Sequence, residues 1–466
     1  MFSPLQFSFS QQPLGNAVYE DFDQLANAFK KNHQGLYFYT DTLTTNKKID
    51  SLRATLSEAM ELPEFFAKIS ALVALTNEGH TNLKYPKKAL RELSKKKVFL
   101  PFGIAICDDE MIINGVYDKE LSELRHHKVI RINGKSPGSI VEELIPYIAT
   151  DGFNITSAKE WMGWDFPFFY YLLEGGSPSF DLVLENLDGK RVDKTIQPIN
   201  YKQVVKENNS DIYLFQNGTF KFRDFKILNE DTAILTVSGF FGRKDFDKFY
   251  RNSFSTIKEK GMKNLIIDIQ RNVGGQEGLE NLLASYLWEE PFQKYAMVNV
   301  PRSAYQKNRN AKAVRRDGWY LKKGIPHRGI STLQSDFYDN EDFILPTNDL
   351  IFNGNVYVLT SGVTFSGGAE FASMLKLRDR AIFIGEEVGG AHAGNVSGHS
   401  NTITLKNTKI KVDLPVVHFK MNLRAREDGS HGVVPDYFVP QSWGDLVKGK
   451  NSKLLFVLDL IEKIHK

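Results

Sequence analysis

The chain has 466 residues, 59 Lys+Arg against 56 Asp+Glu for a net charge of +3, and 42% apolar against 25% charged residues. That length supports two or three domains around full hydrophobic cores, and the near-neutral balance gives no argument for a nucleic-acid partner. The single cysteine, Cys107, excludes an internal disulfide and any multi-cysteine metal site. No run reaches the ~18–20 apolar residues of a membrane span, and the first residues lack the basic and apolar segments of a complete signal peptide.

The first ~85 residues read as helical. Phe22, Leu25, Ala26 and Phe29 share one helix face, a second helix starts near Asp50, and a third carries Phe65, Phe66, Ile69, Leu72 and Val73 behind Pro63. Gly79 closes it, and His80-Thr81-Asn82 follows. From about 97 to 200 the pattern turns to strands, at 98–106, 111–116 and 128–132, with a helix over 138–147. An aromatic-dense stretch follows, then strands 180–185 and 194–198 joined through Asp188-Gly189, a hairpin signal. Beyond about 220, strands at 232–237, 265–269, 355–360 and 381–385 alternate with helices at 246–261, from Gly275 to about Trp288, and at 367–377. Such alternation predicts an α/β core with a partly parallel sheet. A hairpin over 402–414 and a helix carrying Leu454, Val457, Leu458 and Ile461 complete the chain. Between Tyr305 and Ile330 stand eight basic residues and one acid, Asp317, read either as a solvated loop or as a lid attracting acidic groups.

Three segments carry candidate chemistry. An apolar strand runs into Thr364-Phe365-Ser366-Gly367-Gly368-Ala369-Glu370, which places Ser366 at a helix start among unsatisfied backbone N–H groups. A nucleophilic serine needs that exposure and a nearby oxyanion donor; the plainer alternative is a helix-capping serine. Asp268-Ile-Gln-Arg271-Asn272-Val-Gly274-Gly275 is a second strand-to-glycine turn, able to offer another oxyanion donor while Asp268, Arg271 and Asn272 brace it. His80, in a Gly-His-Thr turn, is a candidate base. His392 and His399 lie in a glycine-rich stretch, with no acidic residue at the spacing a metal site needs.

Taken in order, Gly79-His80-Thr81, Asp268 to Gly275, Thr364 to Glu370, Gly385-Glu386 and Gly432-Val-Val-Pro-Asp436 resemble the C-terminal processing (tail-specific) peptidases and the tricorn protease core, and most of all their Bacteroidetes-type envelope branch. The resemblance implies a crotonase/ClpP-like α/β core with a mixed sheet over 201–466, a helical N-terminal part over 1–90, and an inserted PDZ-like β module over 91–200. It implies a serine endopeptidase acting on polypeptides, in the periplasm, cell envelope or secreted, with no cofactor and no metal. Ser366 would be the nucleophile and His80 the general base, with Gly367, Gly274 and Gly275 as oxyanion donors. The lysine of the family's other branch falls at Ala391, so a serine–lysine dyad does not carry over, and Lys376 reads as a surface residue. The orienting carboxylate's expected place is Gly429, which leaves Glu427 and Glu386 as candidates. Phe102, Gly103 and Ile104 stand where the PDZ-like module would bind a peptide carboxylate. Two alternatives remain at this point: a catalytically degenerate binding protein on the same scaffold, and a crotonase-like acyl-CoA enzyme.

Overall fold

The computed structural model describes residues 12–213, 222–301, 332–334, 343–344, 349–424 and 428–464. The basic stretch 305–330 and Glu427 lie outside them.

The core is a six-stranded sheet. Thr232–Val237, Asn264–Asp268, Asn355–Thr360, Ile382–Gly385 and Tyr437–Phe438 run parallel, and Arg223–Ile227 joins one edge antiparallel. Both faces are covered, which is why these strands read as continuous apolar runs. Ala233, Leu235, Leu265, Ile267 and Val358 pack beneath helices Arg243–Glu259, Leu279–Ala284 and Gly367–Leu377. Ile234, Ile266, Tyr357 and Ile384 pack instead on Val457 and Ile461 of helix Ser452–Ile464.

A second sheet joins the two ends of the chain. Strand Asn82–Lys84, directly after the Gly-His-Thr turn, pairs antiparallel with Lys411–Met421, with Leu83 opposite Val412. Helices Ala17–Asn32 and Leu62–Ala74 then bury Phe22, Phe29, Phe65 and Ile69 against Leu405, Ile410, Val412 and Leu414. The third unit is a five-stranded antiparallel sheet, Phe102–Cys107, Glu110–Val116, Lys128–Ile132, Phe180–Glu185 and Arg191–Ile196, covered by helices Pro137–Leu144, Ile155–Trp164 and Phe166–Glu174.

Three elements depart from the sequence expectation. The second helix starts earlier, at Thr42, because Asp41 caps it by accepting from the Thr44 N–H at 2.9 Å. The helix after Gly275 shrinks to Leu279–Ala284, since Gly274, Gly275 and Gly278 all hold positive φ (+85°, +145° and +89°) and keep the chain out of helical geometry. The glycine-rich stretch around His392 and the hairpin over 402–414 run into one long ribbon, Gly394–Thr404 with Lys411–Met421, irregular between Ser397 and Ser400.

A buried carboxylate clamps this ribbon to the first helix. Asp21, fully buried, accepts from the Asn407 N–H (2.9 Å), the Thr408 N–H (2.7 Å) and the Thr408 hydroxyl (2.7 Å) at the ribbon's tip. Asp21→Ala would leave those backbone donors unpaired, and charge-assisted bonds of this kind are the strong ones. We expect a loss of roughly 2–4 kcal/mol in guanidinium unfolding, scaled from such bonds.

Candidate active site

Strand Asn355–Thr360 ends in a turn that Thr364 and Ser361 lock from beneath. The Thr364 hydroxyl donates to the Ile269 carbonyl at 2.9 Å, and the Ser361 hydroxyl donates to the Gln270 carbonyl at 2.6 Å. Phe365 N–H donates to the Asn272 carbonyl, and Gly390 N–H to the Thr364 carbonyl. Held on both sides, the next residue takes the strain: Ser366 has φ +53° and ψ −127°, and helix Gly367–Leu377 starts immediately after it. A non-glycine residue in that region persists only where its surroundings enforce it, and here the strain lifts the side chain off a sharp strand-to-helix turn. The serine makes no capping hydrogen bond, so the plainer reading of a helix cap does not hold.

The expected glycines divide by role. Gly274 donates its N–H to Asn272 Oδ1 at 2.8 Å, which removes it as an oxyanion donor. Its missing side chain matters instead, because a Cβ there would lie 2.5 Å from Ser366 Cβ. The N–H groups of Gly275 and Gly367 make no hydrogen bond among the described residues, and Gly367 lies beside Gly274. Asn272, fully buried, braces the turn by donating from Nδ2 to the Val237 carbonyl at 3.0 Å. Asp268 accepts from the Gln270 N–H, and Arg271 faces Glu160 and Asp268 electrostatically.

His80 is stacked on Phe365, the neighbour of Ser366, with ring centroids 4.5 Å apart. The Gly79 site is tight, since a Cβ there would lie 2.8 Å from the Phe365 ring. His80 Nδ1 faces Glu78 Oε1 at 3.0 Å and Asp151 Oδ1 at 3.9 Å, while Nε2 is buried with no hydrogen-bond partner. With Nδ1–H given to a carboxylate, the Nε2 lone pair is the free one. Burial pushes the imidazole below its ordinary value of 6.5, against the upward pull of Asp151 and Glu370. Burial also pushes Glu78 up to about 7 and Asp151 well above the carboxylate range. Behind the turn, His33 Nε2 meets the Thr81 hydroxyl at 2.8 Å and is held neutral, its pKa pushed down to about 3 by burial.

Other expected residues fall elsewhere. Glu386 pairs with Lys453 at 2.8 Å, so its carboxylate is engaged away from His80. Lys376 pairs with Asp436 at 2.9 Å on the surface. His392 Nδ1 meets the Ser373 hydroxyl at 3.0 Å. Phe102, Gly103 and Ile104 are buried, not open to a ligand: helix Ile155–Trp164 packs along their strand so closely that a Cβ on Gly163 would lie 2.9 Å from the Ile104 carbonyl. Glu370 anchors a buried network. Burial opposes its charge, but Lys294, Tyr295 and Asn395 outweigh that and hold it ionised.

The sequence reading missed Glu78 and Asp151. Glu78 stands two residues before the histidine, which is a usable signal. Asp151 comes from the loop after the third unit's first helix and arrives by tertiary folding alone. Together with His80 they are the one group among the described residues whose ligand atoms could converge on a metal, within 4.8 Å of one another. Backbone N–H groups of Gly79 and Val396 already donate to the two carboxylates, at 2.8 and 2.6 Å.

Gly274→Ala would press a methyl group onto Ser366 and strain a positive φ. We expect reaction of Ser366 with a fluorophosphonate to slow by about 10²-fold, the cost of a misplaced reacting group, with circular dichroism unchanged.

Residues 231–439 match the peptidase family S41 model. No curated protein sequence matches the chain. Among solved structures, mature CPAF is 14% identical, covering 94% of this chain and 95% of its own, with TM-score 0.62. Mature CPAF complexed with lactacystin is 12% identical, covering 96% and 98%, with TM-score 0.63. A CPAF mutant is 12% identical, covering 93% and 94%, with TM-score 0.65. At these identities the likeness is one of fold.

Proposed function

We propose that the chain is a serine peptidase of family S41 acting on polypeptides, a reading supported by the family model's match to residues 231–439, with Ser366 as its nucleophile and His80 as its general base. The acyl-CoA alternative falls away with the family match. The observation that carries the assignment of Ser366 is its strained, uncapped position with φ +53° beside the unpaired N–H groups of Gly275 and Gly367. The kept strain also favours an enzyme over a degenerate binding scaffold, since a binding role gives no reason to retain it.

In the reaction, Ser366 Oγ attacks the scissile carbonyl carbon, its proton passes to His80 Nε2, and the carbonyl electron pair moves onto oxygen. The N–H groups of Gly275 and Gly367 are the oxyanion donors, each worth about 3–4 kcal/mol in the transition state on the scale of known sites. Collapse breaks the C–N bond, and His80 returns the proton to the leaving amine. Water then repeats the sequence on the acyl-enzyme. We read the six-stranded core as crotonase/ClpP-like and the five-stranded unit as PDZ-like, on their strand order. Because the covered Phe102–Ile104 segment leaves no room for a peptide, the PDZ-like unit here acts by supplying Asp151 to the site. An envelope or secreted setting rests on the resemblance alone, since a lone, buried Cys107 fits the cytosol equally.

Ser366→Ala is expected to abolish peptide hydrolysis and fluorophosphonate labelling in a folded protein, and full turnover in that variant would overturn the nucleophile. His80→Ala should cost about 10²–10⁴-fold, with Lys376→Ala near wild type; the reverse order would remove His80 as the base. The base works when neutral, so activity is present above its pKa and lost as pH falls through it. Because burial lowers that pKa, the acidic limb of kcat/KM should lie below pH 6.5.

A further inference from the structure

Resting on His80 as the base, we propose that Glu78 and Asp151 form its positioning pair, carrying one negative charge between them, with Glu78 as the carboxylate that accepts from Nδ1–H and Asp151 as the neutral acid beside it.

The geometry separates the two roles. Glu78 Oε1 lies 3.0 Å from Nδ1, a hydrogen-bond distance, whereas Asp151 Oδ1 at 3.9 Å is beyond one. Their side chains are only 2% and 1% exposed. Glu78 accepts from the backbone N–H of Val396 at 2.6 Å and, more weakly, from that of His80 at 3.4 Å. Asp151 accepts from Gly79 N–H at 2.8 Å, its Oδ2 meets no donor, and its side chain hydrogen-bonds to that of Glu78 in the sense that favours charge on Glu78 and a proton on Asp151. More donors favour the charged form on Glu78, and an oxygen without a donor suits a protonated carboxyl. Among the described residues no lysine or arginine pairs with either group. Two adjacent buried carboxylates without a cation cannot both ionise. The other titratable groups facing them are Tyr39, whose phenol burial and both carboxylates hold neutral, and Glu370, whose charge Lys294 offsets. The pair therefore presents one charge to the imidazolium that forms during acylation, and it fixes the tautomer that leaves Nε2 free.

Both carboxylates come from outside the matched domain, Glu78 from the N-terminal helical part and Asp151 from the PDZ-like unit. They are anchored to the core at separate points. Val396 holds Glu78 across 318 positions, and Phe153 N–H donates to the Ser430 carbonyl at 2.9 Å beside Asp151.

The test is peptide hydrolysis against pH with the full chain, for wild type, Glu78→Gln, Asp151→Asn and the double variant. Glu78→Gln keeps an oxygen for Val396 and should lower kcat at least 10²-fold with KM within about threefold, as expected when a base's orientation is lost. Asp151→Asn should stay within tenfold in kcat with its acidic limb in place. The double variant leaves no charge beside the imidazole, so its acidic limb should move to lower pH by about one unit, the size of a neighbouring-charge effect. An Asp151→Asn limb that itself moves down would transfer the charge to Asp151 and overturn the assignment. So would a double variant whose limb stays in place, or Glu78→Gln within threefold of wild type. If Glu78→Gln fails to fold, Glu78→Asp replaces it and should lose rate while keeping the wild-type limb; a shifted limb overturns the pair. Full activity in His80→Ala would instead overturn the base assignment itself, and is distinguishable from every result above.

Discussion

The pairing of a three-residue strand, Asn82–Lys84, with the long ribbon of the last third sets the position of His80, the proposed base. His80 sits two residues before that strand, so the register of Leu83 against Val412 decides where its imidazole lies. Small adjustments are blocked on both sides. Thr81 is held by His33 from the first helix, and Glu78 is held by the Val396 N–H on the neighbouring ribbon strand. A side chain delivered on a turn would ordinarily be mobile; here each residue from Glu78 to Leu83 has a contact that fixes it, Asn82 included, which pairs with Asp413 and donates to the His80 carbonyl.

Ser366, the proposed nucleophile, is fixed by a different means, the absence of side chains. Gly274 lies against Ser366, Gly390 fits between Ala369 and the Ser366 backbone, and Gly362 meets the carbonyl of Thr156 on helix Ile155–Trp164. Backbones approach so closely that a methyl group at any of these places would push on the turn. Packing of this density is what enforces the Ser366 conformation against its own preference. Phe365 links the two halves, with one ring face on His80 and its edge geometry set by Trp161 at 5.7 Å. Electrostatics follow from the same enclosure. Excluding water lowers the imidazole's affinity for a proton while raising that of the carboxylates, so neighbouring groups within one pocket are moved toward neutrality together.

Much of this was legible in the residues. The alternating apolar strands and helices from 220 onward gave the parallel core, because a sheet covered on both faces leaves its mark as uninterrupted Val, Ile and Leu. The motif segments around His80, Asn272 and Ser366 were readable because glycines mark close approach. What was not readable depended on distance in the chain. The orienting carboxylate was sought near Glu386 and Glu427, by analogy of position, whereas Glu386 is taken by Lys453 and the groups at the ring are Glu78 and Asp151. No local pattern in Asp151-Gly152 announces that its loop will cross to the Gly79 N–H. Gly274 likewise reads as a donor from its place in the glycine turn, yet its N–H is committed to Asn272 Oδ1. The buried state of Phe102–Ile104 could not be inferred either, since the helix that covers them is an insertion of aromatic residues whose docking face has no periodic signature.

The clamp of Asp21 on the ribbon tip joins residues 386 positions apart. Contacts this distant in sequence form late, because the loop they close must be ordered before any stabilisation is returned. During synthesis, the helices of the first ninety residues emerge long before residues 405–414 exist to cover their apolar face. Until then Phe22, Phe29 and Phe65 lack their partners, and His80 has no strand to hold it. The Ser366 turn is made later still than His80, but it too has nothing to act with until the ribbon docks. On the proposed function, a nascent chain is therefore without a working site for most of its translation, so an enzyme that could cut its own unfolded segments is assembled only once those segments are packed away.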